Sequence, residues 1–357
     1  YVDRAKDLGF KYQGITNHGN INSVIEHKKE CDRVGIIPVF GCEMYVVPNI
    51  NIKEKGESRS HICLFVKNHE GWKNLLKLLT IANIDGFYFR PRVDYDLLRN
   101  NLNGLIISTA CTSSFINNPE GMDFLYDAID IIKDDVYLEI MPLIYDKQKS
   151  LNKRIAELHQ KNNIKVIATN DCHYCNKDDN FIQEVLLAIQ SKAKWSDKNR
   201  WKFSIDDLYL KSYSEMIESF SLQGVLNRRF VIESLSNTID LAEKCSEFVL
   251  QRYPVDLPLI KGMEGNPDDI LAKMCRKKFR EKRNEFFDTD LYLSRMNYEL
   301  KLIRDKNFSN YFLIVWEITD WCRKNNILTG IGRGSVSGSL IAYLLGITNV
   351  DSIKWNL

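Results

Sequence analysis

Histidine, glutamate, cysteine and aspartate recur in this sequence beside short apolar runs. Asn17-His18 follows the run at 14–16, Glu43 interrupts the run at 36–47, Cys111 follows the run at 105–108, and Asp171-Cys172-His173 follows the run at 164–168. His61 differs, because it opens the run at 62–66 instead of closing one. These side-chain types bind divalent transition metals, and two or three such metals held together polarise a phosphoester and ionise a water. A phosphoesterase-like metal centre is one reading. Local capping and packing is the other, and recurrence at several strand ends brings the first level with the second. Asp171 and His173, two apart after a strand, reach the same face of one loop, whereas Cys172-x-x-Cys175 has no second Cys-x-x-Cys and reads as coincidence.

A second chemical signal lies at Thr329-Gly330-Ile331-Gly332-Arg333-Gly334-Ser335-Val336-Ser337-Gly338-Ser339, which runs directly into the apolar stretch 340–346. Glycines let backbone approach a ligand closely, N–H groups at a helix start favour an anion, and Arg333 and the serine hydroxyls add phosphate donors. The pattern lacks the Gly-Lys-Ser/Thr ending of a P-loop, and its glycine spacing departs from the dinucleotide-binding fingerprint. A phosphate loop and a purely structural turn remain the two readings.

Apolar runs at 14–16, 36–47, 62–66, 105–108, 136–140 and 164–168 alternate with helical patterns at 21–34, 72–82 and 151–160. Gly35 closes the first of those helices. Continuous apolar strands separated by helices suit a parallel sheet covered on both sides or a closed α/β barrel. The rhythm stops at Pro254, Pro258, Gly262, Gly265 and Pro267, which mark a domain boundary, and helical patterns follow at 268–287, 292–306 and 311–325. Lys273, Arg276, Lys277, Lys278, Arg280, Lys282 and Arg283 make the first of these basic, as a solvated face or as a contact for nucleic-acid phosphates. Tyr311, Phe312, Trp316 and Trp321, spaced helically with Leu313, Ile314 and Ile318, read as core.

Composition sets the outer limits. At 44% hydrophobic and 27% charged residues the 357-residue chain has enough apolar material for one or two cores, which excludes a disordered or collagenous protein. Its 49 Lys and Arg against 47 Asp and Glu give no global basic field, so any nucleic-acid contact is a local patch. No apolar stretch reaches the about 20 residues of a membrane span, and nine scattered cysteines suit reduced thiols, so the expectation is a cytoplasmic protein with no membrane partner. A start at Tyr1 and a stop just past an apolar run read as a fragment.

Longer blocks carry a family resemblance. Gly14-Ile15-Thr16-Asn17-His18-Gly19-Asn20, Gly35-Ile36-Ile37-Pro38-Val39-Phe40-Gly41-Cys42-Glu43, Thr169-Asn170-Asp171-Cys172-His173-Tyr174 and Glu184-Val185-Leu186-Leu187-Ala188-Ile189-Gln190 resemble the PHP domain of bacterial replicative DNA polymerase III α subunits of the DnaE type. Tyr311-Phe312-Leu313-Ile314-Val315 and the stretch from Gly332 to Tyr343 resemble the start of the palm in the same family. The resemblance implies an α/β fold: a distorted (β/α)7 PHP barrel over 1–256, then over 257–357 the mostly helical beginning of a nucleotidyltransferase palm like that of polymerase β. It implies PHP metal ligands at His18, Glu43, His61, Cys111, Asp171 and His173, and triphosphate contacts at Arg333, Gly334, Ser335, Gly338 and Ser339. Template-directed addition of dNTPs to a DNA primer would be the activity, with Mg²⁺ for polymerisation and Zn²⁺ or Mn²⁺ in the PHP domain. Implied partners are primer-template DNA, a sliding clamp, a proofreading exonuclease subunit and clamp-loader components. The PHP domain would serve as a metal-dependent 3′–5′ exonuclease or as a scaffold for the proofreading subunit.

The likeness has gaps. The family's His-x-His would precede Tyr1 and its catalytic palm aspartates would follow Leu357, so no catalytic residue is assigned in this sequence. Asn17 stands where many members carry Asp, which removes a charge beside the metal site. The alternative function is a free-standing PHP-type phosphoesterase, which leaves the block around Arg333 without a role.

Overall fold

The structure is a computed structural model that describes every residue except 57, 204, 252–256, 259 and 261. The chain divides into two compact units, Tyr1–Leu250 and Gln251–Leu357. Of the expected boundary residues, Pro254 and Asp256 lie outside the described residues.

The first unit is built on a seven-stranded sheet: β1 Tyr12–His18, β2 Ile37–Val47, β3 Ser60–Val66, β4 Arg92–Asp94, β5 Leu105–Ser108, β6 Val136–Ile140 and β7 Lys165–Ala168. Its helices are α1 Val2–Asp7, α2 Val24–Val34, α3 His69–Ile84, α4 Tyr95–Arg99, α5 Pro119–Ile132, α6 Asp146–Asn162, α7 Asn180–Gln190, α8 Tyr213–Gln223 and α9 Arg228–Cys245. The short β4, paired only to β2, had no apolar run to announce it. Gly35 ends α2 in the left-handed region at φ 75°, and the amides of Gly35 and Ile36 both donate to the Cys31 carbonyl.

The strand order is β1-β2-β3-β5-β6-β7, and the sheet is not wholly parallel. β3 runs antiparallel to both β2 and β5, which corrects the parallel expectation. The cause is local: among the described residues no helix separates β2 from β3, and a strand pair without a crossover returns antiparallel. The sheet curls. Tyr12, Val39, Phe65, Ile106, Tyr137 and Ile167, one from each strand along that order, meet Leu241, Ala242 and Cys245 of α9 in a single cluster. No pairing joins β1 to β7 among the described residues, so α9 plugs one end of an open, distorted barrel.

The second unit is helical among its described residues: α10 Pro267–Lys282, α11 Thr289–Asp305, α12 Ser309–Lys324 and α13 Leu340–Leu345. Its core joins Leu271, Cys275 and Phe279 of α10, Tyr292 and Met296 of α11, Leu313 of α12 and Leu340, Ile341 and Leu344 of α13. Expected core aromatics divide here. Phe312 and Trp316 pack on that core, whereas Tyr311, Ile318 and Trp321 are exposed, because only the face of α12 that carries Leu313 meets the other helices of this unit.

Candidate metal centre and phosphate loop

The reversal of β3 explains why His61 opens its strand. In an antiparallel neighbour the first residues lie beside the last residues of β2, and the register pairs His61 with Tyr45 and Cys63 with Glu43. On the other side of β2, His18 at the end of β1 pairs with Glu43. Three strands therefore deliver His18, Glu43 and His61 to one edge, where one ligand atom from each lies within 4.8 Å of the others. Glu43 is buried and bridges the two rings, with Oε1 at 2.7 Å from His61 Nδ1 and Oε2 at 3.5 Å from His18 Nδ1.

Cys111 arrives from the loop after β5. The His61 amide donates to the Ser113 carbonyl at 2.8 Å, which ties that loop to β3 and sets the Cys111 thiol 3.4 Å from His61 Nδ1 and 3.9 Å from Glu43 Oε1. After β7, Asp171 and His173 form their own pair, with Nε2 at 3.5 Å from Asp171 Oδ1. Ala110 and Asp171 both take left-handed backbone conformations, φ 55° and 48°, so each of these two loops turns sharply next to a candidate ligand.

Electrostatics couple the two groups. Burial disfavours the charge of Asp171, but its hydrogen bond to His173 and the nearby His18 and His61 hold its carboxyl below the usual range. Burial lowers His173 while Asp171 and Glu43 raise it, and the net shift is upward. His18 is pulled down, chiefly by burial. Burial, with Glu43 and Asp171, pushes the Cys111 thiol far up, so it is protonated without a cation.

The donor set fits a divalent transition metal: two imidazoles and a bridging carboxylate, with a thiol and an Asp–His pair adjoining them. Asn17 does not face this set. Its amide donates to Ser23 and Asn20, bracing the loop into α2, a donor role that an ionised Asp could not fill. Cys172 bonds to the Tyr209 carbonyl instead of facing the centre.

Two residues beside the centre were missed from sequence. Tyr45 stacks on His18 at 5.7 Å and meets His61 edge-on at 5.2 Å, while the two imidazoles meet each other edge-on at 5.3 Å, so the three rings form one packed cluster. Glu139, in β6, is buried, accepts from the hydroxyls of Ser108 and Thr169, and is pushed up to about 7 by burial, with Glu43 and Asp171 adding to the rise. A lone carboxylate inside the apolar run 136–140 was the available signal, the same one that marked Glu43.

At the other end of the chain, Arg333, Gly334 and Ser335 are exposed on the loop before α13. The loop is braced by the Ile331 carbonyl, which accepts from the Asn349 amide and the Thr348 hydroxyl, both at 2.8 Å. Gly332, at φ 149°, sits so close that an added Cβ would lie 2.6 Å from Thr348 Oγ1.

The start of α13 is not an open anion site. Glu299 of α11 accepts from the Ser339 hydroxyl at 2.8 Å and from the amides of Leu340 and Ile341 at 3.0 and 3.1 Å. Arg295 completes the cluster, 2.6 Å from Glu299 and 3.0 Å from the Gly338 carbonyl. The helix-terminus donors read from sequence as ligand-facing are thus spent on an internal carboxylate, and Gly338 and Ser339 anchor the loop while Arg333, Gly334 and Ser335 remain open.

On α10, Leu271, Cys275 and Phe279 face the core, and Lys273, Arg276, Lys277 and Arg280 face outward with no carboxylate partner among the described residues. Lys278 and Lys282 are paired with Glu281 and Glu285.

Comparison with known proteins agrees with this two-part structure. Residues 1–143 match the PHP domain family and residues 269–357 match the bacterial DNA polymerase III alpha NTPase domain. DNA polymerase III subunit alpha of Borreliella burgdorferi is 34% identical over 100% of this chain and 31% of its own length. The corresponding subunit of Aquifex aeolicus is 33% identical over 99% of this chain and 32% of its own length. That of Thermus aquaticus is 28% identical over 96% of this chain. The chain spans about a third of the length of the curated relatives it matches. Its strand-borne histidine, glutamate and cysteine cluster, its glycine-serine loop and its similarity from end to end place it in the DNA polymerase III α-subunit family, over the PHP domain and the NTPase-domain region of that family.

Proposed function

We propose that the protein is a DNA-directed DNA polymerase, adding dNTPs to a DNA primer on a template, and that its PHP unit holds a metal-dependent 3′–5′ exonuclease centre. The polymerase reading is carried by similarity that runs unbroken through both units. In it, Arg333, Gly334 and Ser335 meet the incoming triphosphate, and Gly338 and Ser339 hold the loop through Arg295 and Glu299. Mg²⁺ would serve polymerisation, and no carboxylate for that step is assigned within residues 1–357. Primer-template DNA, a sliding clamp, a proofreading subunit and clamp-loader components are the proposed partners, in the cytoplasm. No helix among the described residues is long and apolar enough to cross a membrane.

The exonuclease reading is carried by the meeting of His18, Glu43 and His61 at one sheet edge. Those three, with Cys111, Asp171 and His173, would hold Zn²⁺ or Mn²⁺. Bound there, the cation would polarise a phosphoester and lower the pKa of a coordinated water. The chain's own contribution is orientation: Glu43 fixes both imidazoles, Tyr45 packs against both rings, and the Asp171–His173 pair keeps one carboxylate ionised at neutral pH.

Metal content of the purified chain, measured with hydrolysis of a 3′-labelled oligonucleotide, tests this. Stoichiometric Mn²⁺ or Zn²⁺ with loss of 3′ nucleotides supports it, whereas a folded chain that retains no metal makes the unit a scaffold. Template-dependent primer extension by the product of the complete gene, lost on Arg333→Ala, tests the polymerase reading.

A further inference from the structure

After α7, the segment 192–203 carries Lys192, Lys194, Lys198, Arg200 and Lys202 against the single acid Asp197, interleaved with Trp195, Trp201 and Phe203. The structure lays these rings out in contact. Phe203 packs on the candidate ligand His173 with centroids 4.8 Å apart, and Trp201 meets Phe203 edge-on at 5.1 Å. A second pair, Phe181 of α7 and Trp195, lies at 5.3 Å. Arg200 lies over the Trp195 ring at 4.1 Å and is pinned by Glu184, so this cation and its ring are held in place before any ligand arrives. Trp201 is 58% exposed, Trp195 49% and Phe181 58%, unlike the buried aromatics of the core.

Charge separates this surface from an apolar docking face. Arg200 and Lys202 share Glu184, but Lys192, Lys194 and Lys198 are exposed with no carboxylate partner among the described residues. On α2, by contrast, Lys28, Lys29 and Arg33 are each neutralised by Asp32, Glu26 or Glu30. Exposed rings beside uncompensated cations complement one class of polymer, in which flat bases alternate with phosphates. The surface is also continuous with the metal centre through the Phe203–His173 contact.

We propose that residues 192–203, with Phe181, form a stacking surface for single-stranded nucleic acid that leads a strand end toward His173. The inference rests on the exonuclease reading of the PHP unit and names the residues that would bind the strand.

Binding of a fluorescent oligothymidylate to the full chain in EDTA tests it without hydrolysis, in a Lys277→Glu/Arg280→Glu background that removes the basic face of α10. Trp201→Ala and Trp195→Ala should each weaken binding about 5- to 100-fold, with Trp201→Phe recovering most of the loss. The logarithmic salt slope should lie near about −2, for three lysine–phosphate contacts on a single strand, and flatten in Lys192→Glu/Lys194→Glu/Lys198→Glu. Equal affinity of the Trp201→Ala, Trp195→Ala and parent chains, or binding only to a duplex of the same sequence, overturns the proposal. Because the metal is chelated, that failure leaves the exonuclease reading standing, whereas a chain that purifies without metal before any chelation, yet shows the tryptophan dependence, sinks only the exonuclease reading.

Discussion

Replacing Glu299 with alanine removes the acceptor that serves the start of α13. Four donors converge on its carboxylate, and two of them, the amides of Leu340 and Ile341, belong to fully buried residues. An unpaired buried N–H costs about 1–3 kcal/mol, so the two amides together set a range of about 2–6 kcal/mol. Arg295 loses its partner as well, but its side chain is 35% exposed and water replaces much of that bond. Water entering the space left by the carboxylate recovers part of the amide cost, which brings the expected loss to about 3 kcal/mol. Leu340 and Ile341 donate to different carboxylate oxygens, so Glu299→Gln keeps an acceptor for one of the two amides and should lose about half as much, about 1–2 kcal/mol. Urea unfolding gives the stability difference, and hydrogen exchange of a peptide covering α13 locates it. The alanine chain should show a lower midpoint at unchanged slope, with fast exchange at Leu340 and Ile341. A loss below about 1 kcal/mol, with the α13 amides as protected as in the parent, would refute the claim that this carboxylate holds the loop.

Glu43→Gln should weaken Mn²⁺ or Zn²⁺ binding by more than about 100-fold, read by metal titration, because it removes the one charged group that bridges both imidazoles. Glu139 gives a pH signature. A carboxyl whose folded pKa is about 7 against an ordinary 4.5 stabilises the fold while protonated, an effect complete below about pH 4.5 and lost as pH rises through 7. Glu139→Gln should therefore flatten the fall in stability over that window by up to about 3 kcal/mol, and equal pH slopes in the two metal-free chains would show that the buried carboxyl does not titrate there. Reversing Lys277 and Arg280 in the complete protein should weaken binding to primer-template DNA and shallow its salt dependence by about 2 in logarithmic slope, and an unchanged slope leaves α10 a solvated face.

What the sequence made legible was periodicity and residue type; what it hid was direction. Runs of apolar residues marked all strands but the three-residue β4, and Gly35 ended α2 where its backbone freedom is needed. An apolar run reads the same from either end, so the reversal of β3 could not be seen, and His61 looked like an exception to the strand-end pattern when it is an instance of it. Partners distant in sequence were equally invisible. A glycine-serine loop before an apolar helix reads as an anion site as long as its amides are free, and nothing near residue 340 reveals that an acid at 299 has taken them. Glu139 and Glu299 share this property: each is a buried carboxylate whose meaning depends on donors from other elements, hydroxyls from β5 and the loop after β7 in one case, a helix start in the other. Their consequences then diverge through hydrogen-bond supply. Glu139 accepts two hydroxyls and its pKa still rises, because burial and the neighbouring acids outweigh them. Glu299 has two amides, a hydroxyl and a guanidinium, and these four donors fix both carboxylate oxygens, so it can hold the loop that carries Arg333 in one conformation.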